Sequence, residues 1–161
     1  MNEFLILFIL KIKESNIYEI KKFIDKNFSP FMQISSGAII PALNRLEKDK
    51  YIKSEKQISQ GGLRKSFYSI LPYGEELFNK LLIEPVDGAP QLVRREIEIL
   101  LMLKNSSVFT DEQRELLIVK IKNAIADNSA ILKKAIANKI MNVEYLQLEL
   151  DYMEQKLKNL L

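Results

Sequence analysis

The chain has 161 residues, of which 47% are hydrophobic and 28% are charged, a composition typical of a folded globular protein. It contains no cysteine and no histidine, which excludes disulfides, Cys/His zinc sites, thiol nucleophiles and Ser-His-Asp triads. Residues 1–83 carry 13 basic against 9 acidic side chains, whereas residues 84–161 carry 11 against 12. The mild basic excess of the first half is compatible with binding to phosphates.

The first apolar segment, residues 4–10, is far shorter than the roughly 20 apolar residues that span a bilayer. It follows Glu3 and precedes Lys11, whereas a signal peptide carries its positive charges in front of the apolar segment. We therefore expect no membrane association and a cytoplasmic location. Because residues 2–13 are apolar on nearly every face, they predict a helix that is buried in a core or an interface.

Two further helices follow in the first fifty positions. Asn16 and Glu19 have the spacing of a capping box, and apolar residues then keep a helical period through residue 28. The next helix begins near Ser35 and closes near Lys50. It contains Pro41 in its first turns, where a missing amide donor is tolerated.

The hydrophobic period then changes from that of a helix to that of a strand. Residues 52–58 and 64–70 alternate roughly, and Gly61 and Gly62 lie between them, which predicts a β-hairpin. Pro72 opens a fourth helix. This order of elements is that of a winged helix-turn-helix, in which the third helix enters the DNA major groove and the hairpin contacts the backbone.

The second half of the chain is predicted to be helical. Residues 84–90, with two prolines and one glycine, predict a linker between a domain at 1–83 and a helical domain at 91–161. Helices are expected at 91–104 and from the capping residue Thr110 onward.

The end of the chain carries apolar residues three and four positions apart. One helix over 111–161 would span about 75 Å, so we favour a break between Ala137 and Asn142, although a single helix stays open. The last apolar residues form an a/d repeat that predicts a dimer interface, with packing inside one chain as the alternative. These residues are Val143, Leu146, Leu150, Met153, Leu157 and Leu160.

Several segments together resemble the PadR-type winged-helix transcriptional regulators. They are IYEIKKFI at 17–24, SSGAIIPALNRLEKDKYIKSE at 35–55, Gly61-Gly62, and FYSILPYG at 67–74. Residues 143–155 resemble the C-terminal helix by which the larger subgroup of that family dimerises. The resemblance implies a mainly α fold with a small β-hairpin, namely a winged helix-turn-helix plus a C-terminal helical dimerisation domain.

The resemblance also implies DNA contacts from three elements. Tyr18 matches a DNA-facing tyrosine on the second helix, the recognition helix supplies a second group, and the wing supplies basic and glycine residues suited to phosphates. The predicted DNA-binding residues are Tyr18, Ser36, Gly37, Ala38, Asn44, Arg45, Lys48, Gly61, Gly62, Arg64 and Lys65. The chain departs from the family pattern at three positions, where Ile17, Ile40 and Leu71 replace the usual glycine, tyrosine and threonine.

Ordinary structural roles would also account for these residues. Tyr18 is compatible with half-buried packing on an amphipathic helix. The polar residues of the third helix are compatible with a solvated face, and Arg64 and Lys65 with an ordinary charged strand. The function predicted from the sequence is nevertheless a DNA-binding regulator, a homodimeric repressor of a pseudo-palindromic operator. The alternative is a winged-helix protein-interaction module with little or no DNA binding.

An enzyme is not expected. The carboxylates lie at helix starts or at solvated positions, and the chain has no phosphate-cradling glycine motif. We expect no metal and no cofactor. Some relatives bind planar aromatic drugs between paired tryptophans, but this chain has no tryptophan. A small-molecule effector therefore stays open, without an identity, and the operator and the regulated genes are not indicated.

Overall fold

The computed structural model describes residues 1–58, 62, 64–139 and 142–160. The chain divides into two compact units, Met1–Leu81 (the N-terminal unit) and Leu82–Leu161 (the C-terminal unit). The first elements are α1 (Asn2–Ile12), β1 (Ser15–Asn16), α2 (Ile17–Phe28), α3 (Ser36–Lys48), β2 (Ile52–Ile58), β3 (Arg64–Ile70) and α4 (Pro72–Ile83). They are followed by α5 (Pro90–Leu103), α6 (Asp111–Ala137) and α7 (Val143–Lys158).

The core of the N-terminal unit is built around α1. All side chains at 4–10 are buried, with exposures of 5% or less, so the prediction of a buried first helix is confirmed. The ring of Phe4 stacks on that of Phe78 in α4, with centroids 5.1 Å apart. The helices α2 and α3 are amphipathic, and each turns one apolar stripe toward this core. The stripes consist of Ile20, Ile24 and Phe28, and of Ile39, Ala42, Leu43 and Leu46.

A small antiparallel sheet of strand order β1-β3-β2 completes the N-terminal unit. Ile52 pairs with Ile70 and Ile58 with Arg64, so the predicted bounds of both hairpin strands are confirmed. The prediction of a two-stranded hairpin was incomplete, because β1 adds a third strand through Ser15 opposite Tyr68. A strand of two residues is too short to show alternation in a sequence.

Local hydrogen bonds set the ends of the helices that position the sheet. The predicted capping box of α2 is confirmed: Asn16 Oδ1 accepts from the Glu19 amide at 3.1 Å, and Glu19 Oε2 accepts from the Asn16 amide at 3.0 Å. The C-terminal end of α3 is followed by Lys50, whose backbone lies in the left-handed region (φ 59°). The Tyr51 amide then donates to the Leu46 carbonyl at 2.9 Å, which turns the chain into β2.

The C-terminal unit consists of α5, α6 and α7. Thr110 caps α6, as predicted, and forms a second capping box with Gln113. The predicted break is also confirmed, because α6 ends at Ala137 and α7 begins at Val143. Lys139, with a φ of 50°, lies in the left-handed region just after α6. The shared core includes Val93, Ile97, Ile99, Leu100, Leu103, Leu117, Ile121, Ala124, Ile125, Leu132, Leu150 and Met153.

Charged and polar side chains also lie inside the C-terminal unit. Glu98 of α5 is only 7% exposed, and its carboxylate accepts from the Tyr152 hydroxyl and from Lys156 Nζ, the latter at 3.3 Å. Arg94 pairs with Glu149, and its guanidinium lies 4.3 Å from the centroid of the Tyr152 ring. Burial, and then the hydrogen bond to Glu98, raise the pKa of Tyr152. These contacts tie α7 to α5 through polar groups.

Candidate nucleic-acid interface

Three of the predicted DNA-binding residues meet in one groove of the N-terminal unit. Tyr18 of α2, Ser36 of α3 and Lys65 of β3 line this groove, which has a volume of about 390 Å³. It is completed by Asn16, Ile17, Lys21, Ser66 and Tyr68. The pairing of β1 with β3 brings these elements together, because it sets the residue before α2 opposite Phe67, next to Lys65 and Ser66.

Tyr18 is exposed in the groove, although half-buried packing was the alternative for this residue. Its side chain is 64% exposed, so it does not serve as a half-buried packing residue. The Lys22 ammonium group lies 5.9 Å from the centroid of the Tyr18 ring. A ring in this position offers a face and a hydroxyl group to a ligand, with a positive charge beside it.

The α3 helix presents a continuous outer face. Its buried stripe lies opposite a row of exposed positions, because residues three and four apart share a face of a helix. The exposed positions are Ser36, Gly37, Ile40, Pro41, Asn44, Arg45 and Lys48, and Ala38 is half-buried at the edge of the row. Of the predicted residues of this helix, Ser36 alone lines the groove beside the sheet.

Arg45 lies on the flank of α3 that faces α1. Its Nε donates to Glu3 Oε1 at 3.0 Å, and its Nη2 lies 2.9 Å from the same oxygen. The guanidinium is therefore neutralised by an acidic partner on a different side of α3 from the groove.

The wing carries exposed cations at the start of β3. Arg64 and Lys65 are both exposed and pair across the sheet with Ile58 and Gln57. Gly62 is exposed and has a φ of 76°, a conformation that side chains other than glycine rarely adopt. The other predicted wing residue, Gly61, lies outside the described residues.

Lysines of α2 extend the positive surface beyond the predicted residues. Lys13, Lys22, Lys26 and Lys65 line a second groove of about 590 Å³, which adjoins the first at Tyr18. Glu19 also lines this groove. Burial opposes ionisation of its carboxyl, but the Asn16 amide and Lys13 outweigh burial and lower its pKa, so the acidic group is held in its charged form.

Sequence reasoning missed Lys21, Ser66 and the two further lysines of α2. Lys21 follows Tyr18 by three residues, so helical spacing was a usable signal for it. Ser66 had no local signal, because its place in the groove depends on the register between β1 and β3.

The predicted dimer residues of α7 fall into two groups in the single chain. Leu150 and Met153 are buried, at 6% and 0% exposure, inside the core of their own unit. Val143 is 38% exposed, and Leu146, Leu157 and Leu160 are half-buried. Packing within the chain thus accounts for the middle of the repeat, while its ends retain accessible apolar surface.

Two other features are absent from the described part of the chain. None of the helices there combines the length and the hydropathy that crossing a membrane requires. Nor do acidic side chains in those same ranges gather into a group of three or more that is able to hold a metal ion.

Comparison with known proteins identifies relatives of the N-terminal unit in particular. The sequence profile of the transcriptional regulator PadR-like family matches residues 6–80. A PadR-like transcriptional regulator from Bacillus cereus strain ATCC 14579 is 31% identical over 48% of this chain and 74% of that chain, with a TM-score of 0.43. A transcriptional regulator from Clostridium thermocellum is 30% identical over 49% and 74%, with a TM-score of 0.45. No curated protein sequence matches the chain.

A third relative extends the comparison to nearly the whole chain. Bacillus subtilis PadR, solved in complex with operator DNA, covers 98% of this chain and 93% of its own, with 16% identity and a TM-score of 0.50. The predicted fold, a mainly α winged helix-turn-helix with C-terminal helices, is confirmed. The family profile covers all of the winged-helix elements except the last residues of α4 and the first five residues of the chain. The chain belongs to the PadR-like family of transcriptional regulators.

Proposed function

We propose that the protein is a cytoplasmic homodimeric repressor that binds a pseudo-palindromic operator in duplex DNA and blocks transcription by occupying it. The observation that carries this proposal is the groove in which Tyr18, Ser36 and Lys65 meet beside the exposed face of α3. Three secondary-structure elements converge there on one positively charged surface. The B. subtilis PadR that shares this fold was solved in complex with operator DNA, which supports the same use of the surface here.

The residues divide by the part of the DNA that they would contact. Arg64 and Lys65 are suited to phosphates, which fix the position of the protein on the duplex. Lys21 pairs with Asp25 and adds less. Ser36 and Asn44, on the exposed face of α3, are suited to base edges in the major groove. Gly37 and the half-buried Ala38 have small side chains, which leave room for the DNA backbone to approach α3 closely. Lys48 adds charge at the end of that face, and Arg45 contributes least because Glu3 neutralises it.

Two copies are needed because one recognition helix and one wing provide few contacts. Dimers of helix-turn-helix proteins gain affinity by placing two such units on half-sites about one helical turn apart. We propose that the copies meet through α7, with Val143, Leu146, Leu157 and Leu160 at the contact and the buried Leu150 and Met153 supporting it. Sedimentation should give about twice 18.7 kDa. A monodisperse monomer at micromolar concentration would contradict this arrangement.

DNA binding is tested by fluorescence anisotropy with duplexes selected from a random pool by the full-length protein. Replacing both Arg64 and Lys65 by alanine should weaken binding to every duplex and reduce the salt slope by about one unit per lost phosphate contact. Asn44→Ala should instead reduce the discrimination between selected and random duplexes.

The matched control for the wing variants is Lys134→Ala, which removes an exposed lysine in the last turn of α6. It should leave the salt slope unchanged. If the dimer shows no salt-dependent binding to any duplex, the protein-interaction module replaces the repressor as the function.

A further inference from the structure

One large aliphatic side chain, Ile40, stands on the exposed face of α3. Ile40 is 42% exposed, whereas its neighbour Ile39 and Leu43 are fully buried. Single exposed apolar side chains are common on protein surfaces, so exposure alone assigns no role. Its position is what matters: Ile40 lies one helical turn after Ser36 and one turn before Asn44, between the two side chains suited to hydrogen bonds with base edges.

The chemistry of the major groove offers one partner for such a side chain. Base edges there present hydrogen-bond donors and acceptors, and the C5-methyl group of thymine is their apolar group. An isoleucine that covered a donor or acceptor would remove its water without replacing the hydrogen bond, which costs free energy. Against a thymine methyl, the same side chain removes apolar surface from water on both sides of the contact.

We propose that Ile40 is a specificity-determining residue that recognises a thymine in each half-site through its C5-methyl group. This inference rests on the proposed function, since it takes α3 as the helix in the major groove. β-branching favours it, because isoleucine in a helix is held largely in one side-chain rotamer and loses little further freedom on binding. Residues four apart in a helix are about 6 Å apart along its axis, and base pairs are 3.4 Å apart. The thymine should therefore lie within one or two base pairs of the bases read by Ser36 and Asn44.

Deoxyuridine provides the test, because it differs from thymidine only in lacking the C5-methyl group and keeps the same base pairing. A duplex selected by the full-length protein is resynthesised with deoxyuridine at each thymine in turn, with symmetric replacement in both half-sites. At one position, wild-type affinity should fall about fourfold per half-site, the change that one buried methyl group corresponds to. Ile40→Ala should bind thymine and deoxyuridine duplexes equally at that position.

Two variants make the result specific to this side chain. Ile40→Val keeps a β-branched apolar group and should keep part of the preference for thymine. Ile131→Ala removes a similarly exposed isoleucine (50%) from α6 and should keep the full preference. Circular dichroism spectra and melting curves establish that each variant is folded.

The possible failures are distinct from one another. If the wild type binds its selected duplex but responds to deoxyuridine at no position, the inference about Ile40 is wrong and the proposed function stands. The inference is equally overturned if Ile40→Ala keeps the wild-type preference. If the wild type selects no duplex at all, the proposed function fails and the role of Ile40 fails with it.

Discussion

The two units bury different kinds of side chain. In the N-terminal unit, α1 alone contributes seven consecutive apolar residues to the core. Its buried polar side chains, among the described residues, are Ser15 and Asn16 of β1. The Ser15 hydroxyl donates to the Lys13 carbonyl, and Asn16 Oδ1 accepts from the Glu19 amide. In the C-terminal unit, Glu98 and Asn128 are buried among the helices themselves, and Asn128 Oδ1 has no partner within the described ranges.

The two units therefore differ in how their stability should respond to changes in charged groups. Apolar burial stabilises the N-terminal unit in a way that does not depend on the ionisation of any core group. The groove lined by Tyr18, Ser36 and Lys65 belongs to this unit. In the C-terminal unit, α7 is joined to α5 through the buried carboxylate of Glu98, which accepts from Tyr152 and Lys156. Removing one member of such a group leaves the others buried without their hydrogen bonds, which costs more than the contact itself contributes.

The largest effect is expected from the aromatic pair in the N-terminal core. Phe78→Ala removes a fully buried ring that stacks on Phe4, and should lower the free energy of unfolding by about 4 kcal/mol. Urea unfolding followed by circular dichroism measures the change. Tyr73→Ala, which removes a ring that is 62% exposed on the same helix, should cost under about 0.5 kcal/mol. Equal losses in the two variants would show that this core does not depend on apolar burial.

The close contact between α4 and the sheet predicts a slightly smaller effect. A Cβ atom at Gly74 would overlap the carbonyl oxygen of Tyr51 and lie 2.7 Å from Ile70 Cγ1. Because the first of these is a backbone atom, Gly74→Ala should cost about 3 kcal/mol. Thermal unfolding measures the loss.

Gly37 provides the control for that substitution, because it is also a helical glycine. A Cβ atom there would meet only Ser35 Oγ, at 3.5 Å, so Gly37→Ala should stabilise α3 by about 0.5 kcal/mol. A loss of stability at Gly37, or none at Gly74, would contradict the packing described for α3 and α4.

The buried carboxylate of the C-terminal unit predicts a medium effect. Glu98→Gln should reduce the free energy of unfolding of this unit by about 2 kcal/mol, because Tyr152 and Lys156 lose a charged acceptor. Protection of the α5 and α7 amides in hydrogen exchange reports this unit separately. Glu154→Gln, on α7 and in an exposed pair with Lys133 of α6, should change protection by under about 0.5 kcal/mol. If the protection of the α7 amides is unchanged in Glu98→Gln, apolar contacts alone hold α7 in place.

The smallest effect concerns acid and compares the capping boxes of the two units. The folded state lowers the pKa of Glu19, so its contribution to stability is present above its ordinary value of 4.5 and is lost as the pH falls through the lowered value. The equivalent residue of the C-terminal unit, Gln113, does not titrate. On acidification from pH 6 to pH 3, the NMR shift of the Asn16 amide should therefore titrate with Glu19. Glu19→Gln should abolish the titration at Asn16, and a titration that persisted would assign it to another group.

The sequence predicted most elements closely because their signals are local. The capping box at Asn16 and the one at Thr110 each involve residues three apart, so a short segment contains the whole interaction. The predicted bounds of the strands at 52–58 and 64–70 agree with the structure, because alternation and the intervening glycines are also local signals. The break after Ala137 was favoured on length alone, since Lys139 takes a left-handed conformation that lysine does not signal.

What the sequence by itself determined is which segments form helices and strands, and that the first helix must be buried. Only the tertiary structure decided which predicted site residues share a surface. Through the two-residue strand β1, it placed Tyr18 and Lys65 in one groove. It also paired Arg45 with Glu3, 42 positions earlier, on another side of α3. It also placed Leu150 and Met153 in the core of their own unit. The physical reason is that such contacts join residues distant in the chain, and their geometry follows from packing and strand register, which local patterns do not specify.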